Sequence, residues 1–210
     1  MSTAAKPAPI FAIARHRMNL DGVGIVTLVT FCGCPLRCRY CLNPQSFDPK
    51  TKAMLLTPQE LYDRVKVDNL YFLASGGGVT FGGGEPLLYP QFLREFRSLC
   101  PDGWRLGVET SLNVPWEAVE TAAFCIDHFF IDGKDSNPAI YRAYTGQDNG
   151  RMLDNLKRLA ALIPPERITV RIPLIPDYNT DEDRDNSQAL YESYGLTQFD
   201  RFTYKIREHE

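Results

Sequence analysis

The sequence lacks a long apolar run, an excess of positive charge and paired cysteine knuckles. No stretch approaches the roughly 18 consecutive apolar residues that a membrane-spanning helix needs. The formal net charge of -3 gives no basic footprint for nucleic acid. We therefore expect neither a membrane nor a nucleic acid as a partner.

The chain also lacks the pattern of a secretory signal. Its start, MSTAAKPAPIFAIARHR, has a short apolar patch that Pro7 and Pro9 interrupt and that Arg15 and Arg17 follow. Such a start predicts a protein that stays in the cytoplasm. In a reducing cytoplasm, clustered cysteines more often bind metal or do chemistry than form disulfides. We therefore expect clustered thiols in this chain to act as ligands.

What the sequence does contain is an alternation of strand and helix patterns. With 210 residues, of which 44% are hydrophobic, it can form one core but not two full domains. We predict an N-terminal segment over residues 1–20 and one domain over residues 21–210. The predicted strands are Ile25–Phe31, Val79–Phe81, Arg105–Glu109, His128–Ile131, Ile168–Leu174 and Phe199–Tyr204. The predicted helices are Pro58–Phe72, Gln91–Leu99, Pro115–Phe124, Pro138–Ala143, Arg151–Ile163 and Thr180–Tyr194.

The alternation of these elements predicts right-handed βαβ units and a parallel sheet. About six such units are too few for a closed eight-stranded barrel. The fold class is therefore α/β, with a partial (β/α)6 TIM-like barrel of parallel strands as the prediction and a doubly wound sheet as the alternative. In either architecture, the functional site lies at the carboxyl ends of the strands.

The loop after the first predicted strand, TFCGCPLRCRYCLNPQSF, holds four of the six cysteines. Cys34, Cys38 and Cys41 have the spacing CxxxCxxC. Three thiolates on one short loop can hold three corners of an iron-sulfur cubane. The fourth iron then has no protein thiolate, and an open position on a metal allows a substrate or cofactor to bind it directly.

Other interpretations of the cysteines remain open at this point. A structural zinc site usually pairs two knuckles or adds histidines, and the three histidines lie at no such spacing. A four-thiolate cluster would add Cys32, although its two-residue spacing from Cys34 crowds the ligands. Cys32, Cys100 and Cys125, taken singly, are typical of small buried hydrophobic residues.

The motif CPLRCRYC resembles the cluster motif of the radical S-adenosylmethionine (radical SAM) enzymes, with Tyr40 as the aromatic residue before the last cysteine. Longer stretches resemble the glycyl radical enzyme activating enzymes, the family of pyruvate formate-lyase activating enzyme. They are DGVGI, CGCPLRCRYCLNP, SGGGVTFGGGEPLL, FFIDGKD and VRIPLIPDYNTDED. The resemblance runs from about Asp21 to Asp183.

The resemblance implies a [4Fe-4S] cluster on Cys34, Cys38 and Cys41, whose free iron chelates S-adenosylmethionine. It places Tyr40 beside the adenine. The backbone of Gly83 and Gly84, with Glu85, receives the methionine amino group. Glycines let a backbone approach closely, and a carboxylate accepts hydrogen bonds from an ammonium.

Further polar residues match positions that surround the cofactor in this family: Glu109, Thr110, Asp132 and Lys134. Some relatives keep a monovalent cation near there. Arg171 is a candidate partner for the carboxylate or ribose of the cofactor, since a guanidinium pairs with carboxylate oxygens. Each of these residues also has the ordinary interpretation of a surface residue or an ion-pair member.

The implied function is reductive cleavage of S-adenosylmethionine to a 5'-deoxyadenosyl radical, which installs a glycyl radical on a partner enzyme. A flavodoxin or ferredoxin is the expected electron donor, because no second CxxC-rich insert is present to house relay clusters. Two alternatives stay open. One is a radical SAM enzyme that acts on a small molecule or peptide, and the other is a non-catalytic iron-sulfur or zinc module.

Three features differ from the family pattern. Gly82 stands where a serine commonly precedes GGE, and Val23 replaces a usual proline. The chain is also expected to lack the full carboxyl-terminal segment of the family, which helps to form the substrate cleft. The identity of the substrate is therefore open.

Overall fold

The computed structural model describes residues 5–204. From β4 onward, successive strands of this range are separated by one or two α-helices. The strands are β1 (Ala8–Met18), β2 (Ile25–Phe31), β3 (Met54–Leu56), β4 (Gly78–Gly83), β5 (Arg105–Thr110), β6 (His128–Asp132), β7 (Ile168–Leu174) and β8 (Phe199–Thr203). The α-helices are α1 (Pro58–Val65), α2 (Asn69–Ser75), α3 (Pro90–Leu99), α4 (Trp116–Ala123), α5 (Pro138–Thr145), α6 (Gly150–Leu162) and α7 (Asp181–Glu192).

The strands form an open, mostly parallel sheet in the order β3-β1-β2-β4-β5-β6-β7-β8. β2 and β4 pair in parallel, as do β4 with β5 and β7 with β8. β1 is antiparallel to both of its neighbours, β2 and β3. The predicted α/β class with an open, partial barrel of parallel strands is confirmed.

Two compact units can be distinguished within the described range. Residues 5–34, 43–110 and 115–129 form the first, and residues 35–42, 111–114 and 130–204 form the second. The predicted division into a segment over residues 1–20 and a domain over residues 21–210 stays a prediction, and residues 205–210 lie outside the described range.

The sequence analysis did not predict β1. Ala8 and Ile10 of this strand are fully buried, and the carbonyl of Pro9 accepts a hydrogen bond from the Cys32 amide at 2.8 Å. Proline is depleted in strands, which hid the pattern. The strand matters for the site because its bond to Cys32 fixes the chain where the cysteine loop begins.

Thr57 and Thr180 cap the amino-terminal ends of α1 and α7. Each threonine accepts from the backbone amide three residues on, and Glu60 and Asp183 return the bond to complete a capping box. These caps fix where α1 and α7 begin.

The single helix predicted over Pro58–Phe72 is wrong. α1 ends at Val65, a 3-10 turn follows over Lys66–Asp68, and α2 begins at Asn69. The Asp68 side chain, at the end of the 3-10 turn, is fully buried and pairs with Arg15 on β1. A tertiary contact therefore overrides the local helical pattern.

In the first unit, aromatic rings pack α3 against β2 and β4. The Phe31 ring lies 5.9 Å from Phe81 and 5.6 Å from Phe92, and Phe96 lies 5.4 Å from Phe81. Edge-on contacts of this kind add stability beyond the area they bury. The packing fixes the carboxyl ends of β2 and β4, from which the cysteine loop and the GGE turn emerge.

No helix in residues 5–204 is long and apolar enough to cross a membrane.

Candidate active site

In the first unit, the start of the cysteine loop is bonded to the GGE turn that follows β4. The Gly84 amide donates to the Phe31 carbonyl at 2.9 Å, and the Glu85 amide donates to the Gly33 carbonyl at 2.7 Å. These backbone bonds fix Glu85 relative to the residue that precedes Cys34.

Gly83 and Gly84 are both required by this close approach. Gly83 has φ +90, and a Cβ there would lie 2.7 Å from the Thr30 Cβ. A Cβ on Gly84 would lie 2.2 Å from the Gly33 carbonyl oxygen. The sequence analysis assigned these glycines to approach by a cofactor, and the structure adds that they also let the GGE turn reach the cysteine loop.

Glu85 and Thr110 are brought together. Glu85 is 1% exposed, and its Oε1 accepts from the Thr110 hydroxyl at 2.7 Å and from the Leu87 amide at 3.2 Å. A Cβ on Gly82 would lie 2.6 Å from Oε2 of Glu109. The glycine that departs from the family pattern therefore makes room for a predicted site residue.

In the second unit, residues 35–42 of the cysteine loop are held by the end of α5. The Arg37 amide donates to the Thr145 carbonyl at 2.9 Å, and the Arg39 amide donates to the Tyr144 carbonyl at 3.1 Å. The Cys41 amide closes a turn on the Cys38 carbonyl at 3.2 Å. Backbone bonds thus fix the segment that carries both of these cysteines.

Tyr40 is surrounded by groups that the sequence analysis did not single out. Its hydroxyl donates to Oδ2 of Asp177 at 3.1 Å. Its ring lies 5.8 Å from Tyr178 and 6.1 Å from Tyr144. Asp177 and Tyr178 fall inside the stretch VRIPLIPDYNTDED, but no local pattern there indicates a contact with the cysteine loop.

Asp132, Lys134 and Arg171 form a charged cluster. Nζ of Lys134 donates to Oδ2 of Asp132 at 3.0 Å and to the Tyr204 hydroxyl at 3.1 Å. Nη1 of Arg171 lies 3.8 Å from Oδ1 of Asp132. Three of the predicted site residues therefore lie together, and Tyr204 is a member that the sequence analysis missed.

The charges in this cluster reinforce one another. Burial alone would raise the pKa of Asp132, but Lys134 and Arg171 hold that pKa below its usual value. Burial likewise opposes the charge on Lys134, yet the Asp132 carboxylate keeps its pKa well above the ordinary value. Both groups are therefore ionised at neutral pH.

None of the cysteines of the described range forms a disulfide. Cys34, Cys38 and Cys41 are partly exposed. Burial raises the pKa of Cys38, and the neighbouring Lys134 opposes that rise. The predicted burial of Cys125 is confirmed, whereas Cys32 is partly exposed, so the prediction of a small buried residue there is wrong.

Cys100 is also partly exposed, so the prediction of a small buried residue is wrong there as well. Its thiol is nevertheless poorly ionisable, because burial raises its pKa to about 12. Burial raises the pKa of Cys125 to about 11. Both thiols are therefore unsuited to serve as ligands or nucleophiles near neutral pH.

Within residues 5–204, no three His, Cys, Asp or Glu side chains are grouped so as to hold a metal ion. The donor chemistry of the cysteine loop nevertheless fits an iron-sulfur cluster, because three partly exposed thiols that form no disulfide occur within eight residues of one loop. The expectation that all predicted site residues lie together at the carboxyl ends of the strands stays a prediction.

The α/β fold is shared with solved structures. SuiB of Streptococcus suis, solved with S-adenosylmethionine bound, superposes with a TM-score of 0.64 at 16% identity, over 85% of this chain and 40% of SuiB. This chain therefore spans less than half the length of SuiB, and the likeness shows the fold alone.

The sequence model of the Radical SAM superfamily matches residues 28–188 of this chain. This chain is a member of that superfamily. Its region of similarity includes the cysteine loop, the GGE turn and the three charged residues Asp132, Lys134 and Arg171.

Curated relatives narrow the class. The chain is 30% identical to the (2S)-3-sulfopropanediol dehydratase activating enzyme of Klebsiella oxytoca, over 83% of this chain and 74% of the relative. It is 28% identical to the pyruvate formate-lyase-activating enzyme of Clostridium pasteurianum, over 91% and 86% of the two chains. Within the superfamily, the chain belongs to the glycyl radical enzyme activating enzymes.

The predicted family and enzyme class are thus confirmed. Membership of the superfamily implies S-adenosylmethionine and a [4Fe-4S] cluster as cofactors. The activating relatives further imply a glycyl radical enzyme as the protein substrate.

Proposed function

We propose that this chain is a glycyl radical enzyme activase that holds a [4Fe-4S] cluster on Cys34, Cys38 and Cys41 and binds S-adenosylmethionine at the remaining iron. The observation that carries the proposal is the cysteine loop itself. Its three thiols are partly exposed and form no disulfide, and they lie directly after β2 and inside the matched region. Cys32, Cys100 and Cys125 lie outside the CxxxCxxC spacing.

The GGE turn is proposed to receive the amino group of the cofactor. Backbone carbonyls near Gly83 and Gly84, with the Glu85 carboxylate, supply the acceptors for an ammonium. Glu85 is almost completely buried and already oriented by the Thr110 hydroxyl. A buried, fixed carboxylate binds a cation without the entropic cost of ordering a mobile side chain.

The second unit is proposed to supply the remaining contacts. Lys134 and Arg171 are cations suited to the carboxylate or ribose oxygens of the cofactor, and the Tyr40 ring is suited to the adenine. Asp132 keeps both cations paired. Glu109, which belongs to the first unit, is proposed as a further polar contact, and the proposal includes a monovalent cation beside the cofactor.

When bound, the reduced cluster supplies one electron that cleaves S-adenosylmethionine to methionine and a 5'-deoxyadenosyl radical, which takes a hydrogen atom from a glycine of the partner. The residues of this chain bind, orient and shield the reactants. We propose a flavodoxin or ferredoxin as the electron donor and an anaerobic cytoplasm as the setting, without nucleic acid or membrane as a partner.

The test is anaerobic reconstitution with iron and sulfide, followed by incubation with S-adenosylmethionine, dithionite and a panel of glycyl radical enzymes. The panel includes the partners named for the relatives, such as (2S)-3-sulfopropanediol dehydratase and pyruvate formate-lyase. Electron paramagnetic resonance detects a glycyl radical, and chromatography detects 5'-deoxyadenosine. We expect both products with the cognate partner.

Matched cysteine variants control this experiment. Cys38→Ser removes a proposed ligand and is expected to abolish both products. Cys32→Ser changes a partly exposed thiol of the same segment and is expected to retain both. Loss of cluster absorption in Cys32→Ser would instead favour a four-thiolate cluster. Deoxyadenosine without any glycyl radical across the panel would favour a small-molecule or peptide substrate.

A further inference from the structure

A hydrogen bond joins the cysteine loop to the loop that follows β7. The Tyr40 hydroxyl donates to Oδ2 of Asp177 at 3.1 Å, across 137 residues of sequence. Both residues belong to the second unit. Tyr40 lies between Cys38 and Cys41, so this bond connects an exposed carboxylate directly to the proposed cluster segment.

Asp177 occupies a backbone conformation that its side chain does not favour. Its φ is +67, in the left-handed region where glycine is the default and aspartate is tolerated as a single residue. Such a conformation persists where the surrounding structure determines it.

Asn179 provides that determination. Its Oδ1 accepts from the Ile175 amide at 2.6 Å, and its Nδ2 donates to the Pro173 carbonyl at 3.1 Å and to Asp135 at 3.0 Å. The loop after β7 is therefore tied on both sides of Asp177, and the carboxylate is held in place.

The Tyr40 ring is also confined by two other rings. Tyr178 contacts it edge-on, with an interplanar angle of 83° at 5.8 Å, and Tyr144 lies 6.1 Å away. Tyr144 is fully buried and lies 5.2 Å from Tyr178. Two rings and one carboxylate thus restrict both torsions of a half-buried side chain.

We propose that Asp177 is a positioning residue that sets the orientation of the Tyr40 ring for the adenine of S-adenosylmethionine. The inference rests on the proposed function, in which this ring contacts the cofactor. A ring that is fixed before binding loses less rotamer freedom when the adenine packs against it, so affinity rises without a new contact to the ligand.

The backbone of Asp177 offers a variant that separates positioning from stability. Asp177→Gly removes the carboxylate and also relieves the left-handed strain, so the variant is expected to be at least as resistant to urea as the parent. Tyr40→Phe keeps the ring and removes the hydroxyl. Asp185→Asn is the matched control, because Asp185 is an exposed aspartate of the same unit that bonds Arg201.

The experiment measures the Kd of S-adenosylmethionine for the anaerobically reconstituted enzyme by equilibrium dialysis, with iron content and urea midpoint recorded for each variant. We expect Asp177→Gly and Tyr40→Phe each to raise Kd by about threefold to tenfold. The double variant is expected to match the single variants, because both remove one bond. The KM for S-adenosylmethionine rises by the same factor while kcat changes little.

The outcomes distinguish failure of the proposed function from failure of the positioning role of Asp177. If the parent enzyme holds its cluster but does not bind S-adenosylmethionine, the proposed function fails. If the parent binds and Asp177→Gly binds within twofold of it, the positioning role alone is overturned. Additive losses in the double variant, or an equal loss in Asp185→Asn, would also overturn it. Reduced iron content in Asp177→Gly would assign the residue to the cluster loop fold instead.

Discussion

Replacing Gly84 by alanine should uncouple the GGE turn from the cysteine loop. The added methyl group would lie 2.2 Å from the Gly33 carbonyl oxygen and 2.8 Å from that of Phe31. These oxygens accept the hydrogen bonds from the Glu85 and Gly84 amides, so the methyl group displaces both bonds. Overpacking of this kind costs about 1–3 kcal/mol, and each lost bond costs roughly 1 kcal/mol. The reduced entropy of the unfolded chain returns about 0.5 kcal/mol.

We therefore expect Gly84→Ala to lower the free energy of unfolding by about 2.5–4.5 kcal/mol. Two glycines provide controls. In Gly82→Ala the methyl group meets the movable end of Glu109, so the expected loss is below about 1 kcal/mol. Gly76 has open space but φ +67, so Gly76→Ala should cost about 1–2 kcal/mol through backbone strain alone.

The assay is urea unfolding of the cluster-free protein, followed by tryptophan fluorescence and far-ultraviolet circular dichroism at one temperature. Iron content after reconstitution is measured in parallel, and it should fall in Gly84→Ala while it stays near the parent value in Gly82→Ala. If Gly84→Ala is no less stable than Gly82→Ala, the argument from the two carbonyl contacts is refuted.

Three further predictions concern charge and thiols. Burial would raise the pKa of Asp68, but Arg15 holds it below the usual value, so its contribution to stability is present at neutral pH and is lost as pH falls below about 4. Asp68→Asn should thus cost about 2 kcal/mol at pH 7 and progressively less in acid, as urea titrations at several pH values would reveal. Burial raises the pKa of Cys100 to about 12 and that of Cys125 to about 11, so both thiols should resist iodoacetamide at pH 8 while the thiols of the cysteine loop react. Peptide mass mapping would detect a label on either residue and so contradict this prediction. Lys134→Met leaves the Asp132 carboxylate without its closest cation and should lower the free energy of unfolding by about 1–3 kcal/mol in the same urea assay. An unchanged urea midpoint would contradict a stabilising role for the charged cluster.

The regular elements could be predicted because their signals are local. Predicted and observed strands coincide at Ile25–Phe31 and Ile168–Leu174, where β-branched and apolar residues predominate. The break between α1 and α2 could not be predicted in this way. It depends on the hydrogen bond that Nε of Arg15 donates to Oδ2 of Asp68 at 2.8 Å. The two residues lie 53 positions apart in sequence, and no window of helical periodicity contains both.

The same distinction between local signals and long-range contacts applies to the candidate site. The spacing of the cysteines and the glycine run are short motifs, and the sequence analysis found both. Tyr204 and Asp177 were missed because their partners Lys134 and Tyr40 lie 70 and 137 residues away. An aspartate in the sequence PDYN is typical of a surface turn, and its role follows from the loop geometry after β7.

The two units fix their share of the candidate site by different means, and this difference has a consequence for substitution. In the first unit, backbone bonds and glycines hold Glu85, so a methyl group added at Gly84 disrupts the turn by a backbone clash. In the second unit, side-chain hydrogen bonds hold Tyr40 and Lys134, so a replacement there acts through the bond that it removes and not through a clash with the backbone. Backbone contacts require glycine at set positions and therefore leave a readable motif. Side-chain contacts can be made from many positions, so they become visible when the folded chain brings their partners together.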